Sequence, residues 1–315
     1  MKTKRLGNSN LYVSPITLGG NVFGWTIDEK QSFKILDAFV DHGFNFIDTA
    51  DVYSRWASGF GGESETIIGK WMKSRNNRDK VVIATKVGFD MGEGKEGLSK
   101  KYILKAVEDS LRRLQTDHID LYQSHLDDQK TPLLETLTAY SELIHAGKIR
   151  AIGASNYSGA RLKESLEICK EHDLPRYETL QPLYNLCDRE VYEKELEPVC
   201  KENNISVINY YALAAGFLSG KYRSEKDLSK SVRGQKASRY LNERGLKILN
   251  AMDEVASKFN CKLSSVAIAW LLSKPSVTAP IASATNPDQL NDIIKGATLK
   301  LSGEAIKKLD DASAY

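Results

Sequence analysis

Short β-branched and apolar runs alternate with longer stretches of helical period eight times along this chain, and no break in composition divides it. Strands that are each followed by an amphipathic helix run parallel, because a crossover helix returns the chain to the same edge of the sheet. Eight such units close on themselves, so the expected fold is α/β, a single (β/α)8 TIM barrel filling residues 1–315 as one domain. The expected strands are 16–20, 44–50, 81–87, 118–125, 149–156, 179–184, 206–213 and 278–284. The expected helices between them are 29–42, 63–73, 100–114, 132–146, 159–171, 191–202 and 264–274. Gly43 and Gly147 follow two of them as helix-ending glycines do. A further helix, 242–259, lies in the connection to the last strand, and 287–295 and 303–311 close the chain. Ahead of the barrel, residues 5–13 read as a small hairpin placed to plug its N-terminal face.

Composition narrows the class of partner. Lys and Arg number 44 against 41 Asp and Glu, and a net charge of +3 is too small to draw nucleic acid or a membrane surface as the main partner. The apolar run Val266 to Leu272 falls far short of the roughly 18 residues of a membrane span. Met1-Lys2-Thr3-Lys4-Arg5 is basic but no apolar region follows, so no export signal is expected and the cytoplasm is the expected location. Cys169, Cys187, Cys200 and Cys261 form no Cys-x-x-Cys pair and are expected to be reduced. The histidines form no His-x-x-x-His pair or Cys/His cluster, so no metal site is expected.

Four polar side chains stand where apolar runs stop: Asp48 after Phe44 to Ile47, Tyr53 five positions on, Lys86 after Val81 to Thr85, and His125 after Ile119 to Ser124. Active sites of such barrels lie at the C-terminal ends of the strands, and three successive strands contribute one residue each there. An acid, a phenol, an amine and an imidazole at one sheet edge can tune one another, since burial amplifies each Coulomb interaction. Taken singly, each has a plain structural reading as a rim ion pair, a loop aromatic or a satisfied histidine. His42, His118, His145 and His172 are read as structural.

Ordered motifs carry a resemblance to a known family. Gly43-Phe44-Asn45-Phe46-Ile47-Asp48-Thr49-Ala50-Asp51-Val52-Tyr53 is followed by Gly62-Glu63-Ser64-Glu65 with Gly69 and by Asp120-Leu121-Tyr122-Gln123-Ser124-His125. Gly147-Lys148-Ile149-Arg150-Ala151-Ile152-Gly153-Ala154-Ser155-Asn156 and Gln181-Pro182-Leu183-Tyr184-Asn185 come after them in the same order. Along nearly its whole length the chain resembles an aldo-keto reductase. The resemblance implies hydride transfer to a carbonyl, whose oxygen must gain a proton as the hydride arrives. Tyr53 would be the acid, its pKa of about 10 drawn down by the Lys86 ammonium. Asp48 would keep Lys86 charged, and His125 would orient the carbonyl.

No dinucleotide fingerprint of the common kind is present, since Gly19-Gly20-Asn21-Val22-Phe23-Gly24 lacks the Gly-x-Gly-x-x-Gly spacing. Tyr222 and Lys226 have the Tyr-x-x-x-Lys spacing of another reductase class, read here as chance. Gly216-Phe217-Leu218-Ser219-Gly220-Lys221 is too short for a Walker loop, yet its small residues and Lys221 suit a phosphate on the side where barrels of this kind bind one. By resemblance the cofactor is a nicotinamide dinucleotide, read here as NADPH because Arg233 suits a 2′-phosphate. Ser155, Asn156 and Gln181 would hold the nicotinamide carboxamide, and Tyr210 would stack on the ring. Tyr211, Leu213, Gly216, Ser219 and Lys221 would line the pyrophosphate, and Ser283, Thr285 and Gln289 the adenosine end. Many relatives carry a basic residue near Thr285 and an Asn where Ile293 stands, so Arg233 is assigned to the 2′-phosphate here, its guanidinium forking well onto such a group.

Phe23, Trp25, Trp56, Phe60 and Phe89 are expected to form an apolar mouth, and the loop 54–62 to move on binding. The sequence thus points to cytoplasmic, NADPH-dependent reduction of small aldehydes or ketones. The alternative is a nicotinamide-binding redox sensor or regulatory subunit, such as the channel β-subunits built on the same fold. A third reading, a barrel with unrelated metal or lyase chemistry, requires no nicotinamide at all. Oligomeric state is not legible in the sequence.

Overall fold

The computed structural model describes residues 2–315. A hairpin of β1 (Lys4–Arg5) and β2 (Tyr12–Val13) precedes eight parallel strands. These are β3 (Thr17–Gly19), β4 (Phe46–Asp48), β5 (Val82–Val87), β6 (Ile119–Ser124), β7 (Ile149–Ser155), β8 (Tyr177–Gln181), β9 (Ser206–Val207) and β10 (Ile281–Ala282). They pair in chain order from β3 to β9, with β10 beside β3. A parallel bridge from Val207 to Val277, with the amides of Thr278 and Ile281 donating to Val207 O (2.8 Å) and Asn209 O (2.9 Å), closes the ring. The structure is the expected TIM barrel.

The helical layer comprises α1 (Glu29–Asp41), α2 (Arg55–Ser58), α3 (Glu63–Arg75), α4 (Lys100–Leu114), α5 (Leu133–His145) and α6 (Gly159–Glu171). It continues with α7 (Glu197–Glu202), α8 (Gly234–Ala237), α9 (Glu243–Lys258), α10 (Leu263–Leu272), α11 (Pro287–Thr298) and α12 (Gly303–Ala312). Asp28, Ser99, Ser158, Asn242, Asn286 and Ser302 each accept a backbone N–H from the first turn of the helix they open, satisfying a donor that the helix itself cannot. Among the described residues no helix is long and apolar enough to cross a membrane.

Two departures from the sequence reading have local causes. The stretch expected as a strand over 206–213 is a regular ladder at Ser206–Val207 with a single further bridge from Tyr210 to Leu183, and it ends where Tyr211 takes a left-handed φ of 56° and turns the chain out of the sheet. The helix expected over 191–202 opens as a π-helical turn, Tyr192–Leu196, before α7. Pro198 has no N–H and its ring crowds the carbonyl four residues back, so a widened turn precedes it.

Alternation along the strands sorts side chains between two apolar cores. Ile47, Ile83, Tyr122 and Ile152 face the helices in the larger core, while Phe46, Ala84, Leu121 and Ala151 fill the barrel interior. Leu6, Leu11 and Val13 of the hairpin join that interior cluster, so the hairpin plugs the N-terminal end as expected. Two positions beyond the interior apolar residue of β4, β5 and β6 the face turns polar, at Asp48, Lys86 and Gln123. Gly153 of β7 leaves room for this, since a Cβ there would lie 2.1 Å from Thr179 Oγ1 and 3.1 Å from Gln123 Cγ. Leu6 is fully buried, and Leu6→Ala is expected to cost about 2–5 kcal/mol of stability in denaturant unfolding.

Candidate active site

The side chain of Lys86 is fully buried at the C-terminal end of β5, where an ammonium is tolerated only if its three protons are accepted. Nζ donates to Asp48 Oδ2 at 2.7 Å, to the carbonyl of Thr49 at 2.7 Å and to the phenol oxygen of Tyr53 at 2.9 Å. The phenol lies 3.4 Å from Asp48 Oδ2, to which it can donate. The other carboxylate oxygen of Asp48 accepts from Gln181 Nε2 at 3.0 Å and from Gln123 Nε2 at 3.4 Å. Gln123 of β6 and Gln181 of β8 thus hold the carboxylate of an ion pair that carries a phenol on its ammonium.

Tyr53 reaches this position from a turn. Ser54 adopts a left-handed φ of 74° and its hydroxyl donates to Phe23 O at 2.8 Å, which pins the turn to the loop after β3. His125 lies just beyond β6, 8% exposed, with its ring 6.0 Å from that of Tyr53 and 4.3 Å from that of Phe89. Its Nδ1 is buried with no protein partner among the described residues.

Electrostatics depart from the sequence reading at one point. Burial pushes the Tyr53 phenol well above its ordinary range, and the charge and hydrogen bonding of Asp48 add to the effect, against the opposing cation of Arg233. Lys86 does not make the resting phenol acidic, because Asp48 already neutralises it at 2.7 Å and the ring is desolvated. Burial also draws the Lys86 pKa down, opposed by Asp48. Burial, then the charge of Lys86, holds the His125 imidazole well below its usual range, so it is neutral at pH 7.

The adjoining rim carries the other residues singled out in the sequence. Asn156, at φ 62°, donates to His125 O (2.8 Å) and accepts from the hydroxyl of Tyr210 (3.1 Å), while Ser155 Oγ donates to Gln181 O (2.9 Å). Tyr211 lies with its ring 5.4 Å from that of Tyr210 and close enough to Tyr53 to act on its phenol. After Leu213, Ala214 (φ 47°), Ala215 (φ 55°) and Gly216 (φ 91°) are left-handed in succession, and Ser219 Oγ donates to Gly216 O at 2.7 Å. Lys221 sits with its ammonium 4.9 Å from the ring of Tyr222. At β10 the Ser283 hydroxyl donates to Asn21 Oδ1 at 2.7 Å, and the amide and hydroxyl of Thr285 both donate to Gln289 Oε1 at 3.0 Å.

Arg233 lies with its guanidinium 5.3 Å from the ring of Trp25, and its charge reaches Tyr53 and Tyr211. One of its nitrogens, Nη2, is buried without a protein partner among the described residues. The apolar mouth holds Trp25, Trp56 and Phe89, with Trp25 and Trp56 edge-on at 5.3 Å and Trp56 6.1 Å from Tyr53. Phe60 is 81% exposed on the loop beyond. Phe23 is no part of that mouth, being fully buried in the larger core. Gln123 carries no motif of its own in the sequence, although it stands two positions beyond Leu121 on β6 and therefore on the same interior face.

His125 gives a pH signature. The unfolded imidazole takes up a proton near pH 6.5 and the buried one does not, so the unfolded state binds more protons and stability falls as pH drops through about 6.5. In His125→Asn, the loss of melting temperature between about pH 7 and pH 5 is expected to be smaller than in the parent protein.

Comparison with known proteins gives the family. The aldo/keto reductase family model matches residues 15–314. The uncharacterized oxidoreductase YrpG of Bacillus subtilis is 34% identical, over 99% of this chain and 95% of its own length. The aldo-keto reductase YhdN of the same organism is 36% identical, over 90% of this chain and 83% of its own. A probable voltage-gated potassium channel subunit beta of Oryza sativa subsp. japonica is 32% identical, over 98% and 96% respectively. An ion pair with a phenol at its ammonium, set at the polar end of a closed eight-stranded barrel, thus stands in a chain that belongs to the aldo/keto reductase family of oxidoreductases.

Proposed function

We propose that this protein is a cytoplasmic, NADPH-dependent reductase of small aldehydes or ketones, with Tyr53 as the proton donor. The observation that carries the reading is the 2.9 Å contact between the Tyr53 phenol and a Lys86 ammonium that is itself held by Asp48 at 2.7 Å.

The residues at the rim fit a nicotinamide dinucleotide. Lys221 stands over the left-handed turn at 214–216, where a Cβ on Gly216 would lie 3.2 Å from its Nζ, and its ammonium can meet a phosphate there. The buried, unpartnered Nη2 of Arg233 offers a further donor to an anion. We assign Ser155, Asn156 and Gln181 to the carboxamide, Tyr210 to the nicotinamide ring, and Tyr211, Leu213, Gly216, Ser219 and Lys221 to the pyrophosphate. Ser283, Thr285 and Gln289 fall to the adenosine end, and Arg233 to the 2′-phosphate.

When bound, the reduced nicotinamide supplies the hydride. A neutral phenol is the form that can give a proton, and burial keeps Tyr53 in that form. As the proton leaves for the carbonyl oxygen, negative charge grows on the phenol oxygen beside the Lys86 ammonium. The cation therefore acts mostly on the transition state and little on the resting phenol. Asp48 fixes the ammonium in place, and Gln181 and Gln123 fix Asp48. A neutral His125 beside Tyr53 can hold the carbonyl oxygen, and the Trp25, Trp56 and Phe89 rings favour apolar substituents.

A second reading, a nicotinamide-binding redox sensor or regulatory subunit, draws on the similarity to the plant protein named as a probable channel β-subunit. Turnover separates the two. With an aldehyde panel followed at the reduced nicotinamide band, Tyr53→Phe is expected to lower kcat about 10²–10⁴-fold while cofactor still binds. Retained turnover in that variant rejects the proton-donor role, and cofactor binding without turnover of any carbonyl favours the sensor. Arg233→Ala is expected to weaken NADPH and leave NADH nearly unaffected. Equal weakening of both would move Arg233 to the pyrophosphate, and an unchanged preference would remove it from the cofactor site.

A further inference from the structure

On the outer face of the sheet, behind Lys86, lies a second polar cluster that the chemistry above does not use. Thr85, one residue before Lys86 and so facing the helices, donates to Glu65 Oε1 of α3 at 2.5 Å, and Arg113 Nε of α4 donates to Glu65 Oε2 at 2.6 Å. Gly62 and Gly69 admit that arginine: a Cβ on Gly62 would lie 2.5 Å from Arg113 Cδ, and one on Gly69 2.2 Å from Arg113 O. Asp51, 2% exposed, sits between this cluster and the Tyr53 turn, with its amide donating to Lys86 O at 3.3 Å. Its Oδ1 is buried with no protein partner among the described residues.

Charge balance decides the state of that carboxyl. The groups that face it are Glu65 from α3, Arg113 and Tyr102 from α4, Lys86 from β5, Tyr122 from β6 and Tyr140 from α5. Both cations are already paired, Lys86 with Asp48 and Arg113 with Glu65. An anionic Asp51 would be a third buried carboxylate against two cations, beside Glu65 and without a hydrogen-bond donor on Oδ1. A buried charge in that position gives up its ionisation. Burial first, and then the charge of Glu65, indeed push the Asp51 carboxyl well above the usual carboxylate range.

We infer that Asp51 is a neutral acid at physiological pH and a positioning residue for Tyr53, whose ionisation at alkaline pH draws Lys86 away from the phenol. The step is a simple release of the carboxyl proton to solvent. The new anion repels Glu65 and attracts Arg113 first and Lys86 second, so part of the pull on the Lys86 ammonium shifts away from Asp48 and the hydrogen bond from Lys86 to Tyr53 lengthens. The effect on turnover rests on the proton-donor role of Tyr53; the protonation state of Asp51 does not.

Asp51→Asn keeps the shape of the neutral acid without a titrating proton, and Asp51→Ser serves should the amide fold poorly. The folded carboxyl keeps its proton where the unfolded one loses it, so the folded state binds more protons and parent stability falls as pH rises above about 4. Measured on cofactor-free protein, the melting temperature of the variant relative to the parent is expected to climb as pH rises from about 4 through neutrality. A constant or falling difference overturns the inference, whatever the protein's activity. In turnover assays, kcat of the parent is expected to fall on the alkaline side with KM steady, and the fall to shift to higher pH in Asp51→Asn. Superimposable alkaline limbs overturn the positioning role. Loss of turnover in Tyr53→Phe is a separate result that bears on the proton donor alone.

Discussion

The buried ion pair of Lys86 and Asp48 is the constraint to which the rest of this molecule is fitted. An ammonium with no exposure to water is costly unless every proton is accepted, and breaking one partner of such a pair leaves an uncompensated charge. Asp48 Oδ2, Thr49 O and the Tyr53 phenol take the three protons, while two glutamines hold the remaining carboxylate oxygen. Strand register makes this possible. Asp48 pairs with Ala84 and Lys86 pairs with Gln123, so side chains two residues apart along their strands meet at one level inside the ring.

A polarity gradient along the barrel axis follows from the same alternation. Hairpin residues Leu6, Leu11 and Val13 seal one end against Phe46, Ala84 and Leu121, and the polar layer lies one interior step beyond. Water is therefore excluded from below the ion pair, and access to Tyr53 is from the strand-end loops, where Trp25, Trp56, Phe89 and Arg233 stand. Low exposure makes each charge count for more than it would at the surface. It also explains the reversal at Tyr53, whose phenol is kept neutral by the burial that was expected to let Lys86 acidify it.

Much of the fold could be read from the chain because it depends on local regularities. Period two and period 3.6 alternate cleanly through the first six units, and serine, asparagine or aspartate stands at several helix starts. The chain is least legible between Ser206 and Ala284. There the ladder partners are few, Tyr211, Ala214 and Ala215 turn left-handed, and the closing strand β10 is ladder-paired over two residues. Apolar runs in that region look like strands, yet left-handed backbone at non-glycine residues leaves no mark in the sequence pattern. Phe23 was placed at the mouth by its position in a loop, and only packing shows that the loop folds its ring inward.

The sequence by itself determined the eight-unit barrel, the hairpin plug, and the identities of the acid, phenol, amine and imidazole at the strand ends. Each of these rests on spacing along a single element, where side-chain direction is fixed by backbone geometry. Tertiary structure alone decided which oxygens accept the Lys86 protons, that Gln123 and Gln181 complete the Asp48 shell, where the Arg233 guanidinium lies, and that Asp51 is buried beside Glu65 without a cation of its own. Those are matters of distance and desolvation between residues far apart in the chain, and both depend on how the strands and helices close upon one another.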